Sequence, residues 1–131
     1  MNLNTKITVQ QFVTIAEYAH AIRHYIETTQ HERSTIARYK WTIDTFADNI
    51  NFRKYKIWKS RKPNKVYNFQ ITVDAALAML ESLQLEGSVT HAQQEVINLL
   101  HQLLINKGFK SESLNFQISK HEELYTTISA Q

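Results

Sequence analysis

Two glycines and one proline in 131 residues leave this chain few places to turn sharply. Glycine supplies positive φ and proline presets a turn, so a fold of many short strands would need more of both. The scarcity disfavours sandwiches and barrels and favours long helices. Hydrophobic residues at 43% and aromatics at 11% suffice for a packed core. The length is that of a single domain, 1–131.

Helical periodicity is clear in four places. Val9, Phe12, Val13, Ala16, Ala19, Ile22 and Ile26 share one face of a helix from Val9 to Thr28. Thr8 and Gln11 have capping-box spacing before it. A second helix is expected from Ser34 or Thr35, with Ile36, Tyr39, Ile43, Phe46, Ala47 and Ile50 as its buried stripe. A third spans Val73 to Leu85 behind a Thr72 cap, with Ala76, Leu77, Leu80 and Leu83 inward and Gly87 at its end. The fourth starts at Thr90, where Gln93 completes another capping box, and stops at Gly108. Its wide apolar face (Ala92, Val96, Leu99, Leu100, Leu103, Leu104) suggests a central position. Ser119 and Glu122 would open a last helix, with Leu124 and Ile128 inward.

Period-two alternation marks the strands. Tyr55 and Ile57 alternate with lysines, and Tyr67, Phe69 and Ile71 with Asn68, Gln70 and Thr72. Pro63-Asn64 between them suits the centre of a tight turn. Leu114, Phe116 and Ile118 alternate in the same way. The segments 68–72 and 115–119 match at four of five positions, an echo explained by a shared need for two inward apolar residues and a hydroxyl cap. The expected class is α+β, mainly α: about five helices with a small antiparallel sheet, made of a basic β-hairpin near 53–72 and a short strand near 113–119.

Several chemistries are excluded or disfavoured. Without cysteine there is no disulfide, thiolate zinc site or cysteine nucleophile. No G-x-S-x-G, P-loop, G-x-G-x-x-G or H-E-x-x-H motif occurs, and paired carboxylates such as Asp44/Asp48 have helix-surface spacing. The expectation is a protein that is not an enzyme and uses no cofactor. Glu17, His20, His24 and Glu27 share one helix face, and His91, Glu95 and His101 lie on another helix, but no matching ligand set is repeated between them, so no metal is expected. The longest apolar run, Ala75 to Leu80, is too short to span a bilayer. Polar residues interrupt the N-terminal region, which does not read as a secretory signal, so a cytoplasmic protein without a membrane partner is expected.

Charge distribution supplies the positive signal. Residues 53–65 contain Arg53, Lys54, Lys56, Lys59, Arg61, Lys62 and Lys65 and no acid. These are seven of the fifteen basic residues; the other eight face twelve acids, a balance of −4. Tyr55, Trp58 and Tyr67 flank the cations, placed either to stack on bases or to fix the segment against the core. A helix followed by a cationic hairpin resembles the helix-plus-wing arrangement of winged-helix DNA binders. The resemblance implies a recognition helix from Ser34 to Phe46, offering Arg38 and Lys40, and a wing over 53–69.

Ser34, Thr35, Tyr39 and Phe46 also resemble the S-T-x-x-x-Y-x-x-x-x-x-x-F pattern in the helical core-binding domain of tyrosine recombinases. The resemblance is confined to this helix and implies no activity. The leading expectation is a nucleic-acid-associated accessory or regulatory protein, with DNA or RNA as partner. The alternative is a protein-interaction module, a small inhibitor or adaptor, docking the same basic hairpin on an acidic or nucleic-acid-binding partner with Trp41 and Trp58 as anchors. Leucines of the third and fourth helices could serve a monomer core or a dimer seam, and a homodimer is the expectation for a nucleic-acid binder of this size.

Overall fold

A computed structural model describes residues 2–28, 40–85 and 89–116. The chain opens with strand β1 (Asn2–Thr8) and passes directly into helix α1 (Val9–Thr28). Helices α2 (Lys40–Asn49) and α3 (Phe52–Lys59) follow, then strand β2 (Val66–Thr72), helices α4 (Val73–Gln84) and α5 (His91–Asn106), and a 3-10 turn at Ser111–Leu114. The class is α+β, mainly α, as the composition implies.

The two strands pair antiparallel, in register from Asn2 opposite Thr72 to Thr8 opposite Val66. Alternation makes the sheet one-sided. Leu3, Ile7, Phe69 and Ile71 are buried, whereas Asn4, Lys6, Asn68 and Gln70 face outward. Each strand runs into a helix through a threonine. The Thr8 N–H donates to Gln11 Oε1 at 3.0 Å, and Thr8 Oγ1 accepts from the Gln11 N–H at 3.1 Å. Thr72 Oγ1 accepts from the Ala75 N–H at 3.1 Å. Such caps satisfy amides that the first helical turn cannot. Thr90 and Gln93 form the expected box on α5.

Gly108 ends α5 in a Schellman motif. The Phe109 N–H reaches the Leu104 carbonyl at 3.1 Å, and the Gly108 N–H reaches Ile105 at 3.0 Å. The motif requires the positive φ of 114° at Gly108. Phe109, past the glycine, packs back on the core. Helix α1 touches β1, α2, α3 and α5, while α4 lies on β2, α2, α5 and the 3-10 turn. Leu80, Leu83, Leu100 and Leu104 are buried within this one chain.

Three sequence expectations need correction. Strand β1 was not anticipated, and it, rather than residues 53–59, is the partner of β2. Residues 52–59 form a helix, so the basic β-hairpin and the wing read from it do not exist. Tyr55 and Ile57 fit a two-residue alternation, but Tyr55 and Trp58, three apart, are the inward pair, and Ile57 is 47% exposed. Asn51 caps the helix, accepting the Lys54 N–H at 2.8 Å, and Lys56 and Lys59 sit favourably at its negative end. The strand expected near 113–119 fails over its first part, because Ser113 and Leu114 belong to the 3-10 turn. There the Gln84 carboxamide takes the place of a neighbouring strand, donating to the Leu114 carbonyl and accepting the Phe116 N–H, both at 2.8 Å. Gly87, residues 117–119, the final helix and the start of the second helix lie outside the described residues.

Trp58 is the main bolt of α3. It is 3% exposed and stacks on Phe12 of α1, with centroids 4.4 Å apart and planes within 4°. Phe69 meets both rings edge-on, at 6.2 and 6.4 Å. Trp58→Ala is expected to cost about 3–5 kcal/mol, read as a lower urea midpoint, because it removes a large buried ring and leaves a cavity. Gly108→Ala should cost about 1 kcal/mol in the same assay from backbone strain, since no atom lies within 4 Å of the added Cβ.

Candidate functional site

With Tyr55 and Trp58 turned inward, the other positions of α3 carry its charge outward. Arg53, Lys54, Lys56 and Lys59 are exposed on the helix, and Lys62 and Lys65 are exposed in the segment that follows. The Lys65 N–H donates to the Lys62 carbonyl at 3.3 Å, placing Pro63 and Asn64 at the centre of a turn. The expected turn is therefore present, joining a helix to a strand. Among the described residues, none of these cations forms an ion pair with a carboxylate.

Aromatic rings organise part of this charge. The Arg61 guanidinium lies 4.5 Å from the Trp58 ring centroid and 4.8 Å from that of Tyr67. Trp58 and Tyr67 meet edge-on at 6.0 Å. The Tyr67 hydroxyl also accepts the Lys62 N–H at 3.1 Å, which ties the turn to β2. Lys56 lies 5.6 Å from the Phe52 centroid and Lys59 5.7 Å from that of Tyr55. The Tyr55 hydroxyl donates across to Glu17 of α1 at 3.4 Å. Cation–π contact positions a guanidinium or ammonium without neutralising it, so the charge stays available to a ligand.

The site residues expected from sequence thus divide by role. Arg53, Lys54, Lys56, Lys59, Lys62 and Lys65 give α3 and the turn after it an exposed cationic surface, with Lys54 on the groove side. Tyr55, Trp58, Arg61 and Tyr67 form the framework beneath it, and buried Trp58 offers no free face for a base. Lys40 begins α2, and Arg38 lies outside the described residues.

Sequence reasoning missed a groove beside α3. Its walls come from α2, α3 and β2, and its volume is about 1030 Å³. Trp41 and Thr45 line one side, Lys54, Ile57 and Arg61 the next, and 68–72 of β2 the floor. Trp41 is 78% exposed, because it lies off the stripe of Ile43, Phe46, Ala47 and Ile50 that buries α2. Phe52 is exposed to 76% at the start of α3. The signal for Trp41 was its place opposite that stripe; nothing local marked the groove, whose walls are far apart in sequence.

The histidines of α1 are engaged differently. One His20 ring nitrogen, Nε2, bonds the Ile50 carbonyl at 2.9 Å, and the other, Nδ1, lies 3.0 Å from Arg23 Nη2. A carbonyl only accepts and a guanidinium only donates, which assigns the ring proton to Nε2 and the lone pair to Nδ1. Arg23 continues to Asp48. This relay clamps α1 to the end of α2. Among the described residues no group of three His, Asp or Glu is placed to hold a metal, and no helix is long and apolar enough to cross a membrane.

Comparison with protein-family models, curated proteins and solved structures finds no match for this chain. The site must be read from its own chemistry, which is positive charge and aromatic surface on a rigid support. Arg61→Ala should lower stability by about 1 kcal/mol through lost cation–π contact. Lys56→Ala should lower stability by no more than about 0.5 kcal/mol, because an exposed lysine supports no packing and its attraction to the helix end is screened by water.

Proposed function

We propose that this protein binds nucleic acid through the cationic surface of α3 and the turn after it, without catalysing a reaction. The observation that carries the reading is the set of six exposed cations from Arg53 to Lys65, unpaired with carboxylates among the described residues and held on a helix anchored by Trp58. Concentrated charge without internal neutralisation attracts phosphates and releases their counterions. The helix fixes the backbone positions from which Arg53, Lys54, Lys56 and Lys59 project, so only side chains are left to order on binding. The contacts are to the backbone, so they set affinity and register more than sequence preference.

The test is fluorescence anisotropy with labelled DNA and RNA oligonucleotides over a salt series. Each phosphate neutralised should contribute a slope of about −0.9 on duplex, or about −0.7 on single strands, to log affinity against log salt. Replacing Arg53, Lys56 and Lys62 together with glutamate should abolish binding while lowering stability by only about 1 kcal/mol, the scale of a reversed charge at the helix end, because all three are exposed. Equal binding by the wild type and this variant at low salt refutes the proposal. Recovery of an acidic protein partner from nuclease-treated extract, with no oligonucleotide binding, would favour the adaptor reading.

A further inference from the structure

The groove beside α3 is built differently from the cationic surface, and a phosphate contact alone does not explain it. Its rim carries Trp41, a large aromatic ring left 78% exposed although apolar burial would favour covering it. Ile57 adds exposed apolar surface, and Lys54 and Arg61 bring positive charge along the same wall. The floor presents Asn68 and Gln70, whose amides make no hydrogen bond among the described residues. An aromatic face, flanking cations and exposed amide donors and acceptors match the three parts of an unpaired nucleotide: a base face, a phosphate and a polar base edge.

We infer that the groove between α2, α3 and β2 holds a single unpaired polynucleotide strand, with a base stacked on Trp41 and the adjoining phosphates on Lys54 and Arg61. This deepens the proposed function and rests on it. A duplex keeps its bases paired and stacked on one another, so it can use the outward cations Arg53 and Lys56 but not the Trp41 face. A strand with free bases can use both. Selectivity for single strands would then reside in the groove, and general affinity in the helix surface.

The full chain is titrated with a poly-dT oligonucleotide, a poly-U oligonucleotide, a mixed-sequence duplex of equal length and poly-glutamate. The readouts are anisotropy and intrinsic tryptophan fluorescence. The two tryptophans are separable, since Trp41 is exposed and Trp58 is buried. Single strands should quench the wild type, and the quenching should vanish in Trp41→Phe while most affinity remains. Trp41→Ala should weaken poly-dT or poly-U binding about ten-fold, the scale of one lost stacking contact, and leave duplex binding unchanged. Poly-dT and poly-U arms show whether the strand is DNA, RNA or either. Equal loss or no loss on single strand and duplex overturns the groove assignment while leaving the helix surface as the phosphate site. Trp41-dependent binding of poly-glutamate alone assigns the groove to an acidic peptide and overturns the inference. If the wild type binds no polynucleotide at low salt, the underlying function fails with it. The Trp41 variants should unfold at the wild-type midpoint, which separates lost binding from lost folding.

Discussion

The stacking of Trp58 on Phe12 is the contact on which the rest of the site depends. It joins a short helix to α1, the helix that packs on β1, α2, α3 and α5. An eight-residue helix has little stability of its own in water, so tertiary packing must hold it. A parallel aromatic pair contributes about 0.5–1.5 kcal/mol beyond the area it buries. Once Trp58 is fixed, the rotation of α3 about its axis is fixed too. Tyr55 follows it inward, Arg53, Lys56 and Ile57 are driven outward, and Lys54 is aimed along the groove wall.

The same ring solves an electrostatic difficulty. Seven cations within thirteen residues repel one another, although in water each close pair costs only about 1 kcal/mol and salt reduces it further. Of the seven, the helix spreads four, Arg53, Lys54, Lys56 and Lys59, around its circumference, where a hairpin tip would crowd them. Arg61, the most enclosed of the seven, rests between Trp58 and Tyr67. The negative end of α3 faces Lys56 and Lys59. The charge is thus tolerated without carboxylate partners among the described residues. Tyr67 extends the support to β2 by taking the Lys62 amide, so helix, turn and strand form one continuous platform.

The legible parts of the fold were those encoded within a few residues. Thr8 with Gln11, Thr72 before Ala75, and Thr90 with Gln93 each announce a helix start through a contact three residues long, and each occurs as read. Gly108 announces an end for the same reason. The misread segments were those whose conformation depends on distant partners. Tyr55 and Ile57 satisfy a strand's alternation as well as Tyr55 and Trp58 satisfy a helix's spacing, and Phe12 settles the choice by taking Trp58. Strand β1 has no meaning without β2, which lies more than fifty residues further along the chain, beyond the three helices described between them. Leu114 and Phe116 look like strand residues, yet a single carboxamide from Gln84 supplies what a neighbouring strand would have supplied.

The sequence by itself determined the helical class, most of the helix boundaries and the location of the charge, because composition, periodicity and caps act over short range. It also determined that residues 53–65 would be the chain's one concentrated cationic feature. Tertiary structure alone decided the form of that feature. Packing against Phe12 made it a helix, turned Trp58 from a candidate binding face into an anchor, and left Trp41 exposed at the rim of a groove. The physical reason is that burial is a property of three-dimensional neighbours. Which of two tryptophans is hidden depends on what the rest of the chain places beside it.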